Sequence, residues 1–182
     1  MLNWVWLGLI ALSVILGGVT DTDTLEDLSR LCGEIGHTPL PWPSEAEIPG
    51  PDCWCGLRGC LETYVSGTGL ERDHRAATGA ALAAPQIIEA ARSGESLAAA
   101  SLDRYLDRLA RGLAVAVDLI DPDVIVLGGG MSNVDELYQR LPAQIGPYVF
   151  SDVFETPVVK AMHGDSSGVR GAAWLWPLET GT

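Results

Sequence analysis

Positive charge is scarce in this chain. Its 182 residues carry 11 Lys and Arg against 24 Asp and Glu, for a formal net charge of −13 and a pI of about 4.4. No basic cluster and no helix-turn-helix segment stand out, which argues against a footprint on a nucleic-acid backbone. A nucleotide is still compatible with that charge, because phosphates can be held by backbone N–H groups, a helix N-terminus and Mg²⁺. The beginning of the sequence lacks the positively charged region and A-x-A site of a secretory signal peptide. Residues 2–19 are largely apolar, but Asn3, Gly8, Gly17 and Gly18 interrupt them. At about the 18–20 residue lower limit, this run is a marginal membrane span, and a buried strand or helix fits equally well. A membrane tether is the weakest of the readings, and a cytoplasmic protein is expected. With 47% apolar residues, one compact domain can bury a real core.

Cysteine is also sparse, at four residues, so the chain does not read as a disulfide scaffold. Three of the four cluster as Cys53-Trp54-Cys55-Gly56-Leu57-Arg58-Gly59-Cys60, with His37 upstream. Three thiolates and an imidazole suit a closed tetrahedral zinc site. The spacing is not that of a zinc finger, which pairs CxxC units or CxxC with HxxxH. Gly56 and Gly59 can supply the backbone angles that a sharp Cys-x-Cys fold demands. Two disulfides involving Cys32 are the competing reading. Zinc is favoured over it, because Cys53 and Cys55 are too close to bond comfortably. Cys32 itself reads as a small buried apolar residue.

Gly33-Glu34-Ile35-Gly36-His37, followed by Cys53-x-Cys55-Gly56-x-x-Gly59-Cys60-x-Glu62, resembles the GExGH…CxCGxxGCxE signature of the ROK family. That family comprises repressors, open reading frames and kinases, many of them sugar kinases of the actin/hexokinase-like superfamily. His37-Thr38-Pro39-Leu40-Pro41-Trp42 and the stretch 164–173 are similar to the fructokinase-like branch. The resemblance runs from about residue 33 to 177. It implies an α/β, actin/hexokinase-like (ribonuclease H-like) C-terminal domain with a zinc-binding loop. Residues 1–32 would form an atypical apolar N-terminal segment, and 33–182 a sugar- and nucleotide-binding domain.

The resemblance implies ATP-dependent phosphorylation of a hexose, fructose favoured, with Mg²⁺ and a structural zinc as cofactors and a homodimer as one arrangement. Glu34 and Glu62 would accept hydrogen bonds from sugar hydroxyls. His37 would give one ring nitrogen to the metal and turn the other toward the sugar, with Cys53, Cys55 and Cys60 completing the metal site. Gly128, Gly129 and Gly130 resemble the adenosine motif of the family. The DxGGT-like phosphate loop, the glycine-rich strand–turn–strand before GExGH and the Asn-Asp pair carrying the catalytic base are not found. Asp21, Asp23 and Asp27 lack the context of that base, so no residue is assigned as catalytic. The chain therefore reads as the C-terminal portion of a sugar kinase, weakly active or inactive alone. A non-catalytic sugar-binding or regulatory module is the alternative.

Along the chain, residues 24–31 predict a short helix, and the prolines of 38–52 predict a surface loop. A helix is expected after Glu62, broken at Gly67-Thr68-Gly69, and another over 84–92. Leu102, Tyr105 or Leu106, Leu109, Leu113, Val117 and Ile120 recur as one buried helical face requires. Asp103, Asp107, Arg104 and Arg108 read as solvated charges opposite it, with Arg111 on the same side. Val124-Ile125-Val126-Leu127 predicts a central parallel strand, followed by the glycine turn, a helix over 135–141 and a strand over 158–162. Asp165 or Ser166 would cap a last helix, and His74 and His163 read as surface or packing residues.

Overall fold

A computed structural model describes residues 4–7, 12–15 and 33–162, the first two segments and residues 33–34 through their backbone alone. The helix expected over 24–31, the 164–173 stretch, Cys32, His163 and the candidate acids Asp21, Asp23, Asp27 and Asp165 lie outside the described residues. Strands β1 (Trp4–Leu7), β2 (Leu12–Ile15) and β3 (Gly33–Glu34) run antiparallel to one another in sequence. Helices α1 (Glu62–Val65), α2 (Gly67–Thr78), α3 (Ala84–Arg92) and α4 (Ser96–Ile120) follow. Strand β4 (Val124–Leu127), helix α5 (Asp135–Ile145) and strand β5 (Val158–Lys160) complete the described chain. The sheet order is β3-β2-β1-β4-β5, with β4 parallel to both its neighbours.

β4 is buried at all four positions, as an apolar, β-branched run in mid-sheet must be. β1 pairs with it residue for residue, Trp4 opposite Val124 and Leu7 opposite Leu127. The apolar start of the chain thus supplies two antiparallel strands of the sheet ahead of GExGH. Among the described residues, no helix is long and apolar enough to cross a membrane.

Helix α4 is the spine of the helical layer. Leu102, Leu106, Leu109 and Leu113 are buried along one face against Ile87, Ile88, Leu70, Leu137 and Leu141. Each such side chain contributes about 1.5–3 kcal/mol on burial. The Glu95 carboxylate caps its start by accepting from the N–H groups of Leu97 (3.1 Å) and Ala98 (2.5 Å). Asp121, at φ 42°, ends it in the left-handed region ahead of Pro122. The break between α1 and α2 falls at Ser66, one residue before the expected glycines. Ser66 is extended and its hydroxyl accepts from Gly69 N–H at 3.1 Å, so Gly67-Thr68-Gly69 form the first turn of α2.

The opposite face of α4 is not the solvated one expected. Arg108 and Arg111 are buried, with side chains 9% and 5% exposed. The proline-rich loop folds over them and inserts Glu47, which accepts from Arg108 Nε at 2.7 Å and Arg111 Nη2 at 2.8 Å. Arg111 Nη1 also donates to the carbonyls of Pro41 (3.0 Å) and Trp42 (2.8 Å). Arg108 reaches on to Asp73 of α2 at 2.7 Å, and its guanidinium lies 5.1 Å from the centre of the Tyr64 ring. Asp103 is exposed as expected, pairing with Arg140. Arg104, partly covered, binds Asp73 at 2.6 Å.

Burial alone would raise the Glu47 carboxyl, but hydrogen bonds from Arg111 and Arg108 overcome it and hold the group at about 2. Glu47→Ala leaves two buried guanidiniums short of a partner, and a loss of about 3–5 kcal/mol is expected in urea unfolding at neutral pH. Because its folded value is depressed, Glu47 stabilises the fold fully above its ordinary value of 4.5, and that stability fades as pH falls toward about 2. Acid melts of the two proteins should accordingly converge over that window, and parallel melts would contradict it.

Candidate active site

His37 closes a 3-10 turn (Ile35–His37) directly after β3. Its distant cysteine partners arrive because the loop returns on itself. Leu40 N–H donates to Gly59 O and Leu61 N–H to Thr38 O, placing Cys60 opposite Pro39. Within the cysteine segment, Cys53 N–H donates to Leu57 O at 2.8 Å and Gly56 N–H to Cys53 O at 3.0 Å. Gly56 and Gly59 take φ of 90° and 70°, the left-handed region anticipated for them.

One ring nitrogen of His37 and the Sγ atoms of Cys53, Cys55 and Cys60 all lie within 4.8 Å of one another. Cys53 Sγ is 3.5 Å from His37 Nδ1, and Cys55 Sγ is 3.6 Å from Cys60 Sγ. Metal bonds of about 2.3 Å to sulfur and 2.0–2.1 Å to nitrogen give tetrahedral edges of about 3.6–3.8 Å. The four donors therefore fit one tetrahedral ion. All three cysteines are free, so none of them takes part in a disulfide. Burial pushes the Cys60 thiol up to about 12, helped by its neighbouring sulfurs, whereas the Leu57 backbone hydrogen bond draws Cys55 down.

Glu62 stands beside this cluster at the start of α1. Its Oε1 accepts from the Trp54 indole Nε1–H at 2.7 Å and lies 3.9 Å from Cys53 Sγ. Its Oε2 is buried and has no hydrogen-bond partner among the described residues. Such an acceptor is costly unless something donates to it. Trp54 packs edge-on against the His37 ring, with centroids 4.7 Å apart and planes at 83°. Glu34 is described through its backbone only, in β3 opposite Ser13.

A cavity of about 900 Å³ is lined by Trp54 and Glu62 and also by Gly128, Gly130, Met131 and Asn133. The acid after the cysteines and the turn after β4 thus share one space. Gly129 lies behind the cavity wall at φ 78° and ψ −178°, a conformation open essentially to glycine alone. Its carbonyl accepts from Ser132 N–H (3.0 Å) and Ser132 Oγ (2.6 Å), and Tyr138 OH donates to Ser132 O at 2.7 Å. The turn is held rigid, with its glycine face toward the cavity.

Of the expected site residues, the structure brings His37, Cys53, Cys55 and Cys60 together, and Glu62 joins Gly128 and Gly130 at the cavity. It is Trp54, rather than His37, that meets the cavity wall. Trp54, Glu47, Arg108 and Arg111 were not singled out by the sequence. Only Trp54 carried a signal, its position between two ligands. His74 is a packing residue, buried and 3.0 Å from Ser101 Oγ.

The sequence profile of the ROK family matches residues 17–179. The chain is 41% identical over 174 residues to an N-acetyl-D-glucosamine kinase of Photobacterium profundum, and 42% over 177 residues to one of Pectobacterium carotovorum. Each match takes in 93% of this chain and 57% of the relative, so the chain spans little more than half the length of these proteins. A ROK hexokinase from Thermus thermophilus superposes with a TM-score of 0.72 at 28% identity, over 95% of this chain and 56% of the other. A ROK family glucokinase from Streptomyces griseus, solved with glucose and AMPPNP, gives 0.72 at 25% identity over 95% and 59%. The α/β, actin/hexokinase-like architecture is the one these structures share.

Proposed function

The chain belongs to the ROK family, and on that footing we propose that it is the sugar- and nucleotide-facing portion of an ATP-dependent hexose kinase. One observation carries the reading: a single cavity is lined both by Glu62 and by the strand-end glycine turn. Phosphoryl transfer needs an acceptor hydroxyl and a nucleotide held in one water-poor space, in line with each other. A carboxylate with a free, buried oxygen suits a sugar hydroxyl, since polar groups left unpaired on losing a partner give strong discrimination. The backbone of Gly128 and Gly130 lets a purine nucleoside approach where a side chain would stand in the way. Glu34 is proposed as a second sugar acceptor, and His37 as a ligand whose remaining ring nitrogen faces the sugar. Transfer itself needs a base to take the hydroxyl proton, and no residue of this chain is assigned that role.

The metal in this reading is zinc, held by His37 Nδ1 and the sulfurs of Cys53, Cys55 and Cys60. It would supply a rigid cross-link with no open coordination position. Fructose is favoured by the resemblance of residues 37–42, but the relatives described above are named for N-acetyl-D-glucosamine. That sugar accordingly stands first among the hexoses, with Mg²⁺-bound ATP as co-substrate.

Elemental analysis of the purified, reduced chain should find about one zinc per chain, and Cys60→Ser should lose most of it and melt at lower temperature. A protein that holds no metal and melts unchanged on Cys60→Ser would overturn the zinc assignment. In a thermal-shift panel of N-acetyl-D-glucosamine, glucose, mannose and fructose, the first should stabilise most. Saturation at a hundredfold excess over Kd corresponds to about 2.7 kcal/mol. Indifference to every hexose would sink the kinase reading.

A further inference from the structure

Trp54 is an unusual place for an indole. It sits between two metal-site cysteines and is 77% exposed, yet it is fastened on two sides. Its N–H is spent on Glu62 Oε1 at 2.7 Å, and its ring stands edge-on to His37. The rest of its surface borders the cavity. Glu62 could otherwise swing about its side-chain torsions and offer either oxygen. The indole restrains the carboxylate through Oε1, and Oε2 is left with no donor among the described residues. Cys53 and Cys55 flank Trp54 in the four-donor cluster, so a metal bound there would hold the backbone on both sides of the indole.

We infer that Trp54 is a positioning and specificity-determining residue, which orients Glu62 for one sugar hydroxyl and offers its exposed indole to the apolar C–H face of the same ring. This inference rests on the sugar-kinase reading for its ligand, but the Trp54–Glu62 contact stands without it. The chain of influence runs from the cluster, through a side chain that ligates nothing, to the acceptor. The ligand class is a pyranose presenting a hydroxyl donor beside a C–H face. Sugars that lose that hydroxyl or invert it should lose the discrimination together with the contact.

Two measurements on the full chain test this. In ¹⁵N-labelled wild-type protein, the Trp54 indole N–H resonance should lie downfield as a donor to a carboxylate and should move upfield in Glu62→Ala. A resonance indifferent to that substitution would overturn the inference, whether or not any sugar binds. In calorimetric titration with N-acetyl-D-glucosamine, Trp54→Phe should bind about five- to tenfold more weakly, the scale of one ordinary hydrogen bond. Zinc content and the affinity for Mg-ADP should stay at wild-type values, which a general loss of structure would not allow. Equal sugar affinity in wild type and Trp54→Phe would also overturn it. If Trp54→Phe does not fold, the wild-type resonance decides. A wild-type chain that binds no hexose while its indole signal responds to Glu62→Ala would count against the kinase reading and leave the contact established.

Discussion

The site depends on a carboxylate buried between two guanidiniums. His37 and Cys53 are separated by a proline-rich loop whose buried apolar side chain, Leu40, packs with Leu61 and Tyr64. Glu47 supplies the polar anchor, taking Arg108 and Arg111 of the longest helix at 2.7 and 2.8 Å while Arg111 also holds the carbonyls of Pro41 and Trp42. A buried ion pair adds little net stability, because desolvation offsets most of its attraction. Its effect is on geometry, since every alternative placement of the loop leaves charges buried and unpaired. Tyr64, whose hydroxyl donates to Glu47 O at 2.8 Å, ties the same loop to α1 and thereby to Glu62. The metal donors and the acidic acceptor are consequently registered against one helix.

Legibility in the sequence followed the range of the interactions. Three of the four candidate donors could be named because Cys-x-Cys, the glycines, Cys60 and the acid two residues later lie within ten positions, with His37 in the motif upstream. Helix α4 and strand β4 were legible from periodicity and β-branching, both local properties. Arg108 and Arg111 were misread because the pattern that places them on a polar face is correct. What buries them is Glu47, 61 and 64 residues away, which no helical period can announce. The helix break moved to Ser66 for a related reason. A serine that can cap is a stronger terminator than glycines that can still be wound into a first turn. Strands β1 and β2 were left between strand and helix because their runs of four residues sit inside one long apolar stretch, where the two cannot be told apart by composition. Trp54 was given no role by the sequence, and its bond to Glu62 depends on the fold of the turn.

The acidity of the chain bears on how a nucleotide could be accommodated at all. At a net charge of −13, the long-range field repels polyphosphate. Arg92, a cation on the cavity wall, is already held by Glu136 through two bonds of 2.8 and 2.9 Å. Recognition at that end has to come from short-range groups that carry no net charge, and backbone at a glycine turn is the kind the structure provides. Gly129 illustrates the cost and the use of such a turn. Its conformation is barred to other residues, and Ser132 and Tyr138 keep it there. Under the proposed function the other end would work by the opposite means, with the charged acceptor Glu62 hydrogen-bonded to an indole. On that proposal two chemistries of recognition would share one cavity, since a neutral sugar tolerates a carboxylate that would repel phosphate. Keeping the acid beside the cysteines and the uncharged turn after β4 separates the two requirements along the cleft.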